Sequence, residues 1–153
     1  MAVLQNPDPI GKTIEQIQKK FGPLEEGYFG GYQAEKYGVL FNFRRSRGVL
    51  VDRVLIYDRH TPGGIDWQRA MDITREYYPG CTFSEVSRFE DATSALILFQ
   101  LSEYPGRYIE CVGEQAMVNG NRLPERWHLV FLDETQGQIE KDAIREANRT
   151  FGR

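Results

Sequence analysis

Two histidines, two cysteines, a run of arginines and three adjacent carboxylate pairs are the residues of this chain whose types can do chemistry. His60 precedes Thr61-Pro62-Gly63-Gly64 and reads as a loop residue, while His128 lies inside the apolar run Trp127 to Phe131. A metal site needs ligands at short regular spacing, and no HxH, HxxxH or HExxH occurs. Both histidines therefore read as structural, and no metal ligand emerges. Cys81 and Cys111 make no metal motif; they are two separate thiols or one disulfide, because spacing alone does not fix the distance between their Cα atoms. Glu25-Glu26, Glu90-Asp91 and Asp133-Glu134 are neighbours in sequence, and neighbours on a strand point to opposite faces. Such pairs do not share acid and base work, so they read as turn and solubility residues. A nucleophile elbow, a GxGxxG and a P-loop are absent. Gly27-Tyr28-Phe29-Gly30-Gly31 follows a helix rather than a strand, the wrong order for a phosphate cradle, and reads as a turn or bulge. No catalytic residue and no cofactor follow from these patterns.

Binding chemistry is better represented. Arg44, Arg45 and Arg47, with Arg53 and Arg59 behind them, concentrate positive charge that suits an anion or an acidic partner. The same residues at a hairpin tip also guard a sheet edge against pairing. Asp52 and Asp58 interrupt the run, and no regular aromatic interleaving marks a base-stacking platform. With 19 Lys+Arg against 22 Asp+Glu, a net charge of −3, the chain does not read as a nucleic-acid binder. Tyr28, Tyr32, Tyr57 and Trp127 are the aromatic anchors that complete the candidate binding set with Arg44, Arg45 and Arg47.

The elements that must position these residues read as follows. Thr13 to Phe21 is a short helix, with Thr13 and Gln16 as a capping box and Gly22-Pro23 as its stop. Ile10, Ile14, Ile17 and Phe21 make one stripe, which should dock on a sheet. Tyr28–Glu35, Tyr37–Arg44 and Val49–Asp58 read as a meander, with Arg45 to Gly48 as the turn before its third strand. Thr61-Pro62-Gly63-Gly64 breaks the chain before a helix over Asp66–Tyr78 that ends at Pro79-Gly80. Thr82–Phe89, Thr93–Ser102, Tyr108–Gln115 and Arg126–Asp133 read as further strands. A last helix over Gln138–Arg149 carries the thin stripe Ile139, Ala143, Ile144 and Ala147, which places it on the periphery.

These 153 residues, 41% of them hydrophobic, suit one α+β domain with a mostly antiparallel sheet. Two helix-plus-meander halves, about 10–60 and 65–135, followed by the helix 138–149, fit the layout. Phe21-Gly22-Pro23 and Tyr78-Pro79-Gly80, and then Tyr37 to Phe41 and Ala95 to Phe99, recur at an offset of 57 or 58 residues. The opening Ile10-Gly-Lys-Thr-Ile-Glu-Gln-Ile17, the Phe21-Gly-Pro stop and the meander resemble the small domains of SmpA/OmlA lipoproteins, and a tandem of such units is similar to the β-lactamase inhibitor protein. The resemblance implies a binding protein without catalytic residues. No stretch approaches the roughly 18 apolar residues of a membrane span. Met1 to Pro9 is too weakly apolar for a secretory leader, which places the chain as it stands in the cytoplasm, and outside it if a leader has been removed.

The strand faces carry the last expectation. Leu96 to Leu101, Trp127 to Leu132 and Val49 to Tyr57 are apolar on both sides, whereas a sheet with one wet face alternates cleanly. With two helices on one face, the second face calls for sheet curling, a homodimer, a ligand or a protein partner. Three functions fit: a non-catalytic binding or assembly protein that holds a protein partner or its own copy on a sheet surface; a small-ligand-binding protein or enzyme with a cavity near His60 or His128; and an acidic, dimeric, chaperone-like protein.

Overall fold

A computed structural model describes residues 7–27, 31–115, 117–122 and 125–151. Helix α1 (Ile14–Phe21) is followed by strands β1 (Glu25–Glu26), β2 (Tyr32–Lys36), β3 (Val39–Arg44) and β4 (Arg53–Tyr57). Helix α2 (Trp67–Tyr77) leads into β5 (Phe83–Glu90), β6 (Ser94–Leu101) and β7 (Tyr108–Glu114). The small ladder of β8 (Met117–Val118) and β9 (Asn121–Arg122) then precedes β10 (Arg126–Leu132) and helix α3 (Glu134–Phe151). Eight strands form one antiparallel sheet in the order β1-β2-β3-β4-β10-β7-β6-β5, so the fold is α+β. Each of α1 and α2 is followed by a meander, and β10 lies between the two meanders.

Local chemistry sets the helix starts. The Thr13 hydroxyl accepts from the Gln16 amide while the Gln16 side chain accepts from the Thr13 amide, the reciprocal cap read from the sequence. Asp66 caps α2 by accepting from the Arg69 amide. Both helices pack on the same sheet face. Ile10, Ile14 and Ile17 from the α1 region and Ala70, Ile73, Tyr77 and Tyr78 from the α2 region share a core with Phe41, Phe43, Val54, Ile56, Leu129 and Phe131.

The second face differs from expectation. The C-terminal helix starts at Glu134 rather than Gln138, because the Asp133 carboxylate accepts from the Gln136 amide at 2.8 Å and caps it there. Nor is it peripheral. Ile144 is fully buried in a second core with Leu55, Leu98, Tyr108, Val112, Val130 and Leu132, and Ala147 packs against that core. The chain thus supplies much of the cover that the two-sided strands require, and the helices occupy both faces. Among the described residues no helix is long and apolar enough to cross a membrane.

Two loops also correct the sequence reading. Val49 and Leu50 are exposed and outside β4, because the backbone there pairs with the segment before α1: Val51 N–H donates to Lys12 O, and Gly11 N–H to Val51 O. The turn after β3 is therefore the longer loop 45–52, held by the Asp52 carboxylate, which accepts from the Ser46 amide and hydroxyl. Tyr37 is a turn residue rather than a strand residue. It and Gly38 both have positive φ, 55° and 79°, at the tight turn that joins β2 to β3.

Candidate functional site

The break Thr61-Pro62-Gly63-Gly64 acts as a clamp on the start of β10. Trp127 N–H donates to Gly63 O and Ile65 N–H donates to Trp127 O. Gly64, at φ 76°, lies so close to the Trp127 backbone that a Cβ there would overlap the Trp127 carbonyl oxygen. Gly113 on the neighbouring β7 lies under the Trp127 indole, where a Cβ would meet ring carbons at 2.7 Å. Two glycines therefore fix the tryptophan between loop and sheet.

This arrangement opens a cavity of about 540 Å³ between the start of α2 and the sheet, within the usual size range of small-molecule sites. Ile65, Ala70, Phe99 and Cys111 are buried in its wall, while Asp66, Trp67, Glu85 and Arg88 are exposed and form its mouth. Ile97 and Trp127 line the space between. The Trp67 ring packs on Phe99 and Phe83, with centroids 4.9 and 5.4 Å away. Both tryptophans of the chain thus face one cavity.

Its polar groups already have partners. Arg88 donates to both oxygens of Glu85, at 2.7 and 3.2 Å, and to Glu90 at 2.5 Å, and these bonds hold the Glu85 carboxyl below its ordinary value. Asp66 caps α2. Burial pushes the Cys111 thiol up to about 12, which leaves it protonated and a poor nucleophile. His128 also belongs to the wall, but its ring is turned to the other side of the sheet, stacked on Tyr57 at 4.6 Å, and burial lowers it to about 4.

The residues singled out from the sequence do not converge. Tyr28 lies outside the described residues. Tyr32 lies beneath the Arg45 guanidinium at 5.2 Å, on the side of the first core. Arg44 stands on the opposite face, donating to Asn42 Oδ1, directly across from Arg53 in the β3–β4 register. Burial and the neighbouring Arg53 lower its proton affinity. Arg47 is exposed and 3.7 Å from Asp133. Tyr57 stacks on His128, and Trp127 alone of the set lines the cavity. His60 is an exposed loop residue whose amide donates to Asp58. Cys81 and Cys111 are both buried and unbridged. Among the described residues no cluster of three His, Cys, Asp or Glu could hold a metal.

Buried polar residues escaped the sequence reading. Asp58 ties the end of β4 to the clamp and to α2: it accepts from the amides of His60 and Thr61 and pairs with Arg69. Burial alone would raise its pKa, yet these bonds outweigh burial and hold it well below the carboxylate range. Asp8 accepts from the Tyr78 hydroxyl at 2.6 Å and from Arg107 at 2.7 Å, fastening the N-terminal segment to the body. On the second face, Glu110 is buried with one carboxyl oxygen unpartnered, and Arg53 Nε is also buried without a partner. Asp58 and Arg69 each sit in ordinary polar sequence, so the signal that joins them is spatial.

The chain matches no protein family model, no curated protein and no solved structure.

Proposed function

We propose that this protein is a non-catalytic binding protein and that the cavity between Trp67 and Trp127 seats an apolar, ring-bearing group of a small ligand. The observation that supports this is the cavity itself: about 540 Å³ walled by aromatic and aliphatic side chains, with polar groups that already have partners. Acid–base or nucleophilic chemistry needs a group free to move a proton or attack. Here the carboxylates serve a helix cap and an ion pair, and the thiol is held protonated.

Because both tryptophans face the cavity, the intrinsic emission of the unmodified protein reports on it directly. Neopentylbenzene, a neutral probe with one ring and a branched tail, should shift that emission saturably. Ile97→Phe, which adds volume inside the cavity, should abolish the shift while leaving the melting temperature near that of the parent. An emission unchanged up to the probe's solubility limit would overturn the reading.

A protein partner that inserts a single side chain is a second reading. It is favoured by Trp67, which is 45% exposed at the mouth. The sheet surface is less suited to that role in this reading, since α3 packs over part of its second face.

A further inference from the structure

We infer that the cavity selects a cationic group, an amine or quaternary ammonium carried on an apolar or aromatic body. This inference rests on the binding reading above and names its ligand class.

The charges around the mouth are unequal. Asp66 and Glu85 line it. Glu125 is attached to it through the Trp127 indole N–H, which donates to Glu125 Oε1 at 2.6 Å. Glu90 joins through its bond to Arg88. Of the charged lining residues two are carboxylates, Asp66 and Glu85, against one guanidinium, that of Arg88, and it is enclosed by Glu85 and Glu90. Its donors therefore point at Glu85 and Glu90 rather than at a guest.

Among the described residues, Arg75, Arg126 and Arg69 are bonded to other groups. Arg75 donates to Cys81 O and lies over Phe83. Arg126 donates to Asp58 O, and Arg69 pairs with the Asp58 side chain. Among the described residues a guest anion would meet two lining carboxylates and a guanidinium whose donors are taken, whereas a guest cation would meet the carboxylates and the indoles of Trp67 and Trp127. Indole rings attract cations through their quadrupole, and more strongly where water is excluded. Carboxylates at the rim of a low-dielectric pocket add to this by focusing the field on its opening.

Three probes of one shape separate charge from hydrophobicity: benzyltrimethylammonium, neopentylbenzene and phenylmethanesulfonate. Tryptophan emission and calorimetry on the intact chain should show the ammonium binding roughly tenfold more tightly than the neutral probe, with the sulfonate weakest. Added salt should weaken the ammonium and leave the neutral probe unchanged. Glu125→Gln should reduce the preference for the ammonium with the neutral affinity retained. Glu85→Gln, which also opens the clasp on Arg88, should bring the ammonium and sulfonate affinities together. Both side chains are exposed, and matching melts would show that the variants fold. Equal affinities for the three probes would overturn charge selection and leave the binding reading standing. A preference for the sulfonate would make Arg88 the anchor and overturn it as well. Failure of all three probes to bind would remove both readings.

Discussion

Two titratable side chains on the second face, the half-buried His128 and the buried Glu110, pull the stability of this protein in opposite directions as pH changes. The His128 ring is lowered by burial to about 4 from its ordinary 6.5. Between those values the unfolded chain binds the proton and the folded chain does not. Stability from this residue is therefore complete above about pH 6.5 and lost as pH falls towards 4, at most about 3 kcal/mol. Glu110 is raised, first by burial and then by the neighbouring Glu140 carboxyl, so it stays neutral in the fold where the unfolded chain ionises. Its contribution is complete below the ordinary 4.5 and declines as pH rises above it. The two slopes oppose each other between about pH 4.5 and 6.5, so the parent profile is flatter than either residue alone would make it. Urea midpoints across pH 4 to 8 resolve them. His128→Phe, which keeps the stack on Tyr57, should gain on the parent as pH falls; Glu110→Gln should exceed the parent at pH 8 and match it near pH 4. A Glu110→Gln variant less stable than the parent at pH 8 would show that the carboxyl is ionised and paired in the fold.

At the scale of the element, α3 gives the sharpest test, because packing and propensity disagree at Gly137. Alanine favours a helix over glycine by about 1 kcal/mol, yet a Cβ at Gly137 would overlap the buried Tyr108 ring. Gly137→Ala should therefore destabilise the protein by the ~1–3 kcal/mol typical of overpacking and so lower the melting temperature. A raised melting temperature would mean that α3 does not dock on Tyr108. Ile144→Ala should cost about 2–5 kcal/mol, since Ile144 is fully buried. This helix also shows where the sequence stopped being legible. Its start was written in Asp133 and Gln136, but Asp133-Glu134 read as a turn pair. Its stripe of Ile139, Ala143, Ile144 and Ala147 looked too thin for docking; Ile139 is indeed exposed, yet Ile144 is buried beside the small Ala147, and small residues are what let a helix approach a sheet closely. By contrast, the ends of α1 and α2 could be read from capping and stop residues alone. The third strand of the first meander could not, because Leu50 and Val51 pair with residues 11–13, across the whole of α1 and the first three strands of the sheet. The cavity has the same origin. Trp127 and His128 stood out by type, while Ile65 and Trp67 reach them through the pairing of Gly64 with Trp127, and Glu85 and Arg88 through the strand order β10-β7-β6-β5, contacts that no local pattern announces.

Across the whole molecule, the strand pattern correctly demanded a cover for the second face, and the question it posed was whose atoms provide it. A chain with two apolar sheet faces and helices on one of them would be expected to dimerise through the other. Here α3 returns over that face and buries Ile144 against β4, β6, β7 and β10 residues, so much of the demand is met within the chain. Among the described residues, the exposed large apolar side chains are Tyr37, Val49, Leu50, Trp67, Ile139 and Phe151, divided among a hairpin turn, the 45–52 loop, α2 and α3. Side chains spread in this way do not make the broad contiguous patch that a stable dimer requires. Both thiols are buried, which leaves no accessible sulfur to join two copies. Size-exclusion chromatography with light scattering should therefore give the mass of a single chain, 17.7 kDa, at low and high salt and with or without reductant. A dimer that survives high salt would place an apolar seam on the surface. Because Trp67 is the exposed aromatic at the cavity mouth, its emission on dilution would show whether that seam and the cavity are the same place. An emission shift that tracks dissociation would make a second copy of the chain the occupant of the cavity, in place of a small ligand.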